Sequence, residues 1–374
     1  MRILYFTRSD SPHDQRFIKA IAVNGHEVFA LRLQPLEGSS ANQPGVTEIE
    51  WQGSPKRVGL VEITRIVPQV RKIIKKINPD VIHAGPIQGP AYIAALAGAK
   101  PLLSMSWGYD MLMIAGRNSL TKGITRFTLR RSQMLVADCQ AVVDKALSFG
   151  MKNNRIVKFP WGVDLDSFSP QRGEEDAKAL RARLGWEDAF IVLGSRAWEP
   201  KYGMTILAEA FVEAASREPR LRMILLGEGS QEATIRSILE EGDVMDRVWF
   251  GGTVKQADLP GYYCAADLYV SPSHVDGSSI SLLEALACGK PVAVSDIPGN
   301  REWIEQDQTG WLFGDYDAEA LAKSIIEAVN STRLEEMGIK ARDLAERKAD
   351  WQKSERLLMD TYEKLAQEAS HYEK

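Results

Sequence analysis

Cysteine is scarce in this sequence of 374 residues, and its three copies, Cys139, Cys264 and Cys288, are far apart and odd in number. They offer neither a disulfide framework nor a zinc-binding pattern, which fits reduced thiols. Long apolar runs are missing too: nothing approaches the roughly 18 to 20 consecutive apolar residues of a membrane span. The opening run MRILYF reads as a strand and lacks the charged start, apolar core and small-residue cleavage site of an export signal. A cytoplasmic location is expected. There is no low-complexity tract, and none of the recognised nucleic-acid reader motifs is present in a chain whose net charge is -4, which argues against nucleic acid as a partner.

What is present is the composition of a globular protein, 44% hydrophobic and 26% charged, in a chain long enough for two domains with separate cores. The charge is unevenly divided. Residues 1–164 carry 22 Lys/Arg against 12 Asp/Glu, and the remainder carries 24 against 38. A basic first half suits an acidic acceptor or an anionic lipid surface.

Apolar, β-branched runs alternate with helical stretches: Ile3 to Phe6, Glu27 to Leu31, Val81 to Ala84, Leu102 to Met105, Met134 to Ala137 and Ile156 to Phe159. After the polar stretch QRGEEDAKAL the pattern restarts, with Phe190 to Leu193, Met223 to Leu226, Val248 to Phe250, Leu268 to Ser271, Val292 to Ser295 and Trp311 to Phe313. This alternation predicts α/β architecture, two doubly wound parallel sheets covered on both faces. Domains are expected over 1–165 and 170–350, joined by Pro160 to Pro170, with ligands bound in a cleft at the carboxyl ends of the strands. From about Ala341 to Glu373 the spacing of Trp351, Leu357, Leu358, Tyr362 and Leu365 predicts one amphipathic helix.

The densest chemistry lies in SPSHVDGSSISLLEALACGKP, Ser271 to Pro291, where Asp276 and Glu284 bracket a Gly/Ser turn between a strand and a helix. Free backbone N–H groups and the helix dipole meet there, which favours an anion. Carboxylates on either side suit neutral hydroxyl donors, so the mixture points to a phosphate attached to sugars. Two plainer readings stand beside this one: Ser281 to Glu284 fits a capping box, and Asp276–Gly277 fits a simple turn. In GSRAWEPKYG, Arg196 and Lys201 follow a strand and could converge on a pyrophosphate, the arginine as a planar fork and the lysine as a point charge. A solvated surface loop is the alternative. Gly227 and Gly229 end the strand MILLG and would let backbone approach a ligand closely.

These segments resemble the donor-site signature of glycosyltransferase family 4. Glu284, Ala285, Ala287, Gly289, Pro291 and Val292 match its second half, while Asp276 stands where the family usually has Glu, Ser278 where Phe is common and Ser279 where a second Gly often sits. Arg196 and Lys201 resemble the family's Gly-Arg-x-x-x-x-Lys-Gly element, with Tyr202 inserted before Gly203. The resemblance implies a GT-B fold, two Rossmann-like domains facing across a cleft, with a C-terminal helix at about 355–374 crossing back to the first. It implies hexosyl transfer from a UDP-, GDP- or ADP-sugar with retention of configuration, and no required cofactor. Glu284 would hold ribose hydroxyls, Asp276 the donor sugar, and the N–H groups of Gly277, Ser278, Ser279 and Ile280 the sugar and phosphates. Arg196 and Lys201 would stabilise the departing diphosphate in place of a metal, and Thr253 and Val254 would meet the base.

In the first half, SWGYD resembles the family's His-Gly-x-Asp element, with Trp107 in the place of His, Gly108 for close approach and Asp110 as a candidate catalytic group. His13, Asp14 and Arg16 are candidate acceptor contacts in the loop after the first strand, and His83 is expected to be structural. Arg117, Lys122, Arg126, Arg130 and Arg131, interleaved with Leu120, Ile124, Phe127 and Leu129, form a basic amphipathic segment that suits peripheral contact with an anionic membrane. No carboxylate is singled out as a nucleophile, so a front-face transfer is expected, in which the leaving phosphate takes the acceptor proton. An epimerase or phosphorylase-like enzyme of the same architecture, and a silent nucleotide-sugar binding subunit, are the alternatives.

Overall fold

The computed structural model describes residues 1–34, 44–53 and 59–372, and the chain divides into two compact units, Met1–Phe159 with Lys353–Lys374, and Pro160–Gln352. The first unit is a seven-stranded sheet: β1 (Arg2–Thr7), β2 (Glu27–Arg32), β3 (Val46–Glu48), β4 (Val81–Ala84), β5 (Leu102–Met105), β6 (Met134–Ala137) and β7 (Ile156–Lys158). Its strand order is β3-β2-β1-β4-β5-β6-β7, parallel throughout. The second unit has β8 (Phe190–Gly194), β9 (Leu221–Leu226), β10 (Val248–Gly252), β11 (Leu268–Ser271), β12 (Val292–Ser295) and β13 (Gly310–Phe313), in the order β10-β9-β8-β11-β12-β13 and again parallel.

Each sheet is doubly wound, because the strand order reverses once, between β1 and β4 in the first and between β8 and β11 in the second. The apolar runs are continuous because both faces are buried. Along β8, Phe190 and Val192 join one core while Ile191 and Leu193 join the other, and β9 divides in the same way, Met223 and Leu225 against Ile224 and Leu226. Period-two alternation therefore separates two cores rather than core from water.

Two expected boundaries move. Pro160 to Pro170, read as a connector, is built into the second unit: Val163 N–H donates to Ala349 O at 2.7 Å, Trp351 N–H to Val163 O at 3.1 Å, and the Arg342 guanidinium to Phe168 O at 2.7 Å. The same bonds interrupt the expected helix of 341 to 373. It is two helices, Leu334–Lys348 and Trp351–Tyr372, because a bridge between Val163 and Asp350 takes the backbone groups a continuous helix would need. Asp350 restarts the second helix by accepting from Gln352 N–H at 2.8 Å. Residues 373 and 374 lie outside the described residues.

The second helix packs within the first unit. Tyr362, fully buried, is 2.6 Å from Nδ1 of His83 on β4, and Asn24 donates to Glu355 at 2.6 Å. His83 is completely enclosed, and burial holds its pKa down at about 3, so it is a neutral core histidine at working pH. Its structural reading is thereby given a mechanism.

Candidate active site

In the second unit the loops that follow β8 and β11 meet at the topological switch point, the position where doubly wound sheets bind ligands. The β8 loop runs from Ser195 through a short turn, Pro200–Tyr202, into the helix Met204–Arg217, and the β11 loop runs from Pro272 into the helix Ile280–Ala287. Backbone locks the loops together: His274 N–H donates to Lys201 O at 3.0 Å, and a Cβ at Gly203 would collide with Pro272 O. Gly203 also has φ +62°, so a side chain there would be excluded on both counts.

Arg196 is the centre of the site. Its guanidinium donates to Asp276 Oδ2 at 2.6 Å, to Ser279 Oγ at 2.9 Å and to Ser281 Oγ at 3.0 Å, with its side chain only 11% exposed and that of Asp276 18%. Burial acts to lower the Arg196 pKa, but the facing Asp276, Tyr269, Tyr202 and Tyr263 outweigh it and the group stands above its ordinary value. Tyr202, the residue inserted into the family pattern, lies under both cations: Arg196 Cζ is 4.2 Å and Lys201 Nζ 4.6 Å from its ring centroid. Arg196 and Lys201 thus share one aromatic ring.

Glu284 is buried in the second turn of its helix, where its Oε2 accepts from the Tyr263 hydroxyl at 2.8 Å. The helix is capped at Ser279 and Ser281 is its second residue, with its hydroxyl bonded to Arg196 and Tyr269, so Ser281 and Glu284 do not form a capping box. Burial, then the Glu284 charge, pushes the Tyr263 pKa well up, which keeps that hydroxyl a donor. Tyr263 also lies 3.2 Å from Ser195 Oγ, and Tyr269 donates to Ser281 Oγ at 2.8 Å. Two carboxylates, one guanidinium and three serines are thus gathered, with Tyr263 and Tyr269 between them, from the loops after β8 and β11, the helix after β11 and the helix Leu259–Ala265. Ser278, also buried, accepts from Trp161 N–H at 3.4 Å, and Gly277 N–H donates to Asp276 Oδ1 at 3.1 Å. Ile280 opens the helix.

At Gly227 and Gly229 the neighbouring backbone leaves no room for a side chain. A Cβ at Gly229 would lie 2.5 Å from Trp198 O, and one at Gly227 2.9 Å from Arg196 O. Trp198 N–H donates to Glu228 O and Gln231 N–H to Trp198 O, each at 2.9 Å, so this turn props the arginine loop from behind. Thr253 is exposed after β10, and Val254 packs against the core. No site role is expected from the sequence for Tyr202, Tyr263, Tyr269, Ser195 or Ser281; Tyr269 falls within a run read as a strand.

The first unit holds the other candidates. Asp110 does not present a free carboxylate: it is 4% exposed and accepts from Ile87 N–H at 2.8 Å, Ser106 Oγ at 2.8 Å and Trp107 N–H at 2.9 Å. Burial raises its pKa and these donors pull it back. Asp110 organises the loop after β5 around Gly108, whose N–H donates to Ser106 Oγ at 3.1 Å. Asp14 is likewise buried and accepts from Tyr5 and Ser11 hydroxyls at 2.9 and 2.5 Å, with burial raising its pKa against those bonds. The structure does bring exposed His13 beside Trp107, ring centroids 6.0 Å apart, with Phe17 6.3 Å from Trp107 and Arg16 half-buried nearby in sequence. Among the described residues no group of three or more His, Cys, Asp or Glu could hold a metal ion, and no helix is long and apolar enough to cross a membrane.

Two family models match this chain, "Glycosyl transferases group 1" over residues 176–347 and "Glycosyl transferase 4-like" over residues 2–139. The chain belongs to the group 1 glycosyltransferases. The first match contains Arg196, Lys201, Asp276 and Glu284 together. This glycosyltransferase is 30% identical over 258 residues to the phosphatidyl-myo-inositol mannosyltransferase of Mycobacterium leprae, covering 67% of this chain and 66% of that one. It is 27% identical over 290 residues to the GDP-mannose-dependent monoacylated alpha-(1-6)-phosphatidylinositol monomannoside mannosyltransferase of Corynebacterium glutamicum, covering 72% and 71%. Among solved structures, Anabaena HepE in complex with UDP-glucose superposes with a TM-score of 0.77 at 20% identity, over 97% of this chain and 100% of that one. The fold class is GT-B.

Proposed function

We propose that this glycosyltransferase moves a hexosyl group from UDP- or GDP-sugar to a hydroxyl of a membrane-borne acceptor, with retention of anomeric configuration. The observation that carries the reading is Arg196, a buried guanidinium held at the β8/β11 switch point by Asp276, Ser279 and Ser281, with Lys201 across the Tyr202 ring. A diphosphate arriving there competes with Asp276 for Arg196, and the freed carboxylate accepts hydrogen bonds from the sugar. Glu284, steadied by Tyr263, accepts from the ribose. Arg196 and Lys201 then stabilise the negative charge that develops on the leaving diphosphate. Its phosphate oxygen takes the acceptor proton in a front-face transfer, with Asp276 engaged by the sugar hydroxyls and Glu284 by the ribose rather than serving as nucleophiles.

The carriers are supported by relatives named as GDP-mannose-dependent and by a neighbour solved with UDP-glucose. The acceptor class is supported by the helix Ser119–Arg131, which exposes Lys122, Arg126, Arg130 and Arg131 beside Leu120 at 62% and, just before it, Met113 at 51%. Its Ile124, Phe127 and Leu129 face inward to varying degrees, so the face left for a lipid surface is basic with two apolar points. The test is a thermal-shift panel of UDP, GDP, ADP and their sugars, where a ligand at 100 times its Kd stabilises by about 2.7 kcal/mol. No shift with any of them defeats the donor assignment. An inverted anomer in the NMR spectrum of the product defeats retention, and equal sedimentation with anionic and neutral vesicles defeats the acceptor surface.

A further inference from the structure

Cys264 and Cys288, widely separated in sequence, lie side by side in the second unit, and the mechanism above uses neither. Cys264 sits on the helix Leu259–Ala265, one residue after Tyr263, and Cys288 is the residue that ends the helix Ile280–Ala287 carrying Glu284. These are the two helices joined at their other contact by the 2.8 Å Tyr263–Glu284 bond, and Cys288 N–H itself donates to Glu284 O at 2.9 Å. Both thiols line a cavity of about 420 Å³ together with Lys290, Arg181 and Asp267. Cys264 is half-buried there, and its thiol is 3.6 Å from Ser169 O and 3.7 Å from Pro170 O. Cys288 is 1% exposed. Lys290 Nζ donates to Cys264 O at 2.9 Å, which holds an ammonium beside the accessible thiol.

We propose that Cys264 and Cys288 form a reversible disulfide, with Cys264 as the thiol that meets an oxidant and Cys288 as the thiol that resolves it, and that this bond acts on the Glu284 end of the donor site. A hydrogen bond from the Cys288 thiol and the Lys290 charge hold the Cys264 pKa below its ordinary value against burial, whereas the Cys288 pKa is pushed well up by that bond and by burial. Nucleophile and resolving group are thereby told apart. In the first step the Cys264 thiolate attacks a peroxide oxygen, giving a sulfenic acid and hydroxide. In the second the Cys288 sulfur displaces that oxygen: the S–S bond forms, the S–O bond breaks, and water leaves with the Cys288 proton. Two thiols lose two electrons and the peroxide becomes water. The bond tethers the two helices that carry Tyr263 and Glu284, and that tether is the route by which it reaches the donor site.

The coupling to nucleotide rests on the donor-site reading; the linkage does not. Full-length protein treated with hydrogen peroxide should lose two hydrogens in mass, and chymotryptic digestion should place the link between residues 264 and 288, reversible by dithiothreitol and absent from Cys264→Ser and Cys288→Ser. Amide exchange in 280–287 should change on oxidation in the native chain only, and the affinity for UDP or GDP should fall about tenfold, with both serine variants unaffected. Sulfinic acid at Cys264 without a link, a link to Cys139, or a link that leaves exchange in 280–287 unchanged overturns the proposal. Absence of nucleotide binding by the reduced protein would instead overturn the donor-site reading, with the linkage and exchange results still deciding the thiol pair.

Discussion

Replacing Arg196 by Met removes the group that binds Asp276, Ser279 and Ser281 at once, and its two consequences can be separated. For stability, Asp276 loses a partner at 2.6 Å while its own side chain is 18% exposed. Taking one member from a buried pair costs about 3 to 5 kcal/mol, and the residual hydration of Asp276 reduces this to about 2 kcal/mol. For catalysis, a cation about 4 Å from a developing phosphate charge contributes about 4 kcal/mol at an effective dielectric of 20, which corresponds to about 10³ in rate. Adding Asp276→Asn should therefore restore stability to within about 1 kcal/mol of the native chain, since no buried charge is then left alone, and should leave turnover at or below that of Arg196→Met. Urea unfolding gives the first quantity and donor turnover in the presence of acceptor the second. A double variant that regains both stability and turnover would show that Arg196 serves only to neutralise Asp276, and the diphosphate assignment would be lost.

Glu284→Gln keeps the volume and the acceptor for Tyr263 but removes the charge. UDP or GDP should bind about 10- to 100-fold more weakly by calorimetry, the value of one charged hydrogen bond of about 1.5 to 3 kcal/mol, while Tyr263→Phe should cost mainly stability; unchanged affinity in Glu284→Gln would remove ribose from this residue. His83 predicts an acid limit for the first unit. Its folded pKa of about 3 lies below the ordinary 6.5, so the neutral form is favoured in the fold, and stability present above pH 6.5 is lost as pH falls toward 3. At pH 5 the loss is about 2 kcal/mol, and a His83→Asn variant, which keeps an acceptor for Tyr362, should lack this slope; the raised pKa values of Asp14 and Asp110 act in the opposite direction in both proteins and cancel in the comparison.

Twelve of the strands were legible because a parallel sheet buried on both faces writes itself as an uninterrupted apolar run. β3 escaped because Val46–Glu48 is a three-residue edge strand with Val46 as its single apolar residue, whereas the other edge strand of its sheet, β7, carries Ile156 and Val157 in succession. The break before Trp351 escaped for another reason. Helical periodicity continues across it, and the break is made by backbone from Val163, nearly 190 positions earlier, which no local pattern reports. Charged residues of the site were legible from spacing within two short segments. Their supports were not: Tyr263 lies on a different helix from Glu284, and its role depends on how Leu259–Ala265 packs, which only the fold supplies. Nor does the sequence show that the Asp110 carboxylate accepts from Ile87, Ser106 and Trp107, since those partners are brought to it by the loops after β4 and β5.

The departures from the family pattern between Asp276 and Ser281 can be understood together. Each substituted position has a partner: Asp276 and Ser279 bind Arg196, and Ser278 binds the backbone of Trp161. A phenylalanine at 278 would have to fit a site now 2% exposed and remove the hydroxyl that meets Trp161 N–H, and a glycine at 279 would delete an acceptor of the guanidinium. The aspartate belongs to the same set. With one methylene fewer than glutamate, it reaches Arg196 at 2.6 Å while its second oxygen accepts from Gly277 N–H, so it is held close to its own backbone. Changing Asp276 to Glu alone would then press a longer side chain against Arg196 without the space a wider turn provides. Asp276 and Ser279 form one hydrogen-bonded unit with the arginine and Ser278 is tied to Trp161 beside it, so under the proposed donor reading a change of donor sugar would engage these positions together.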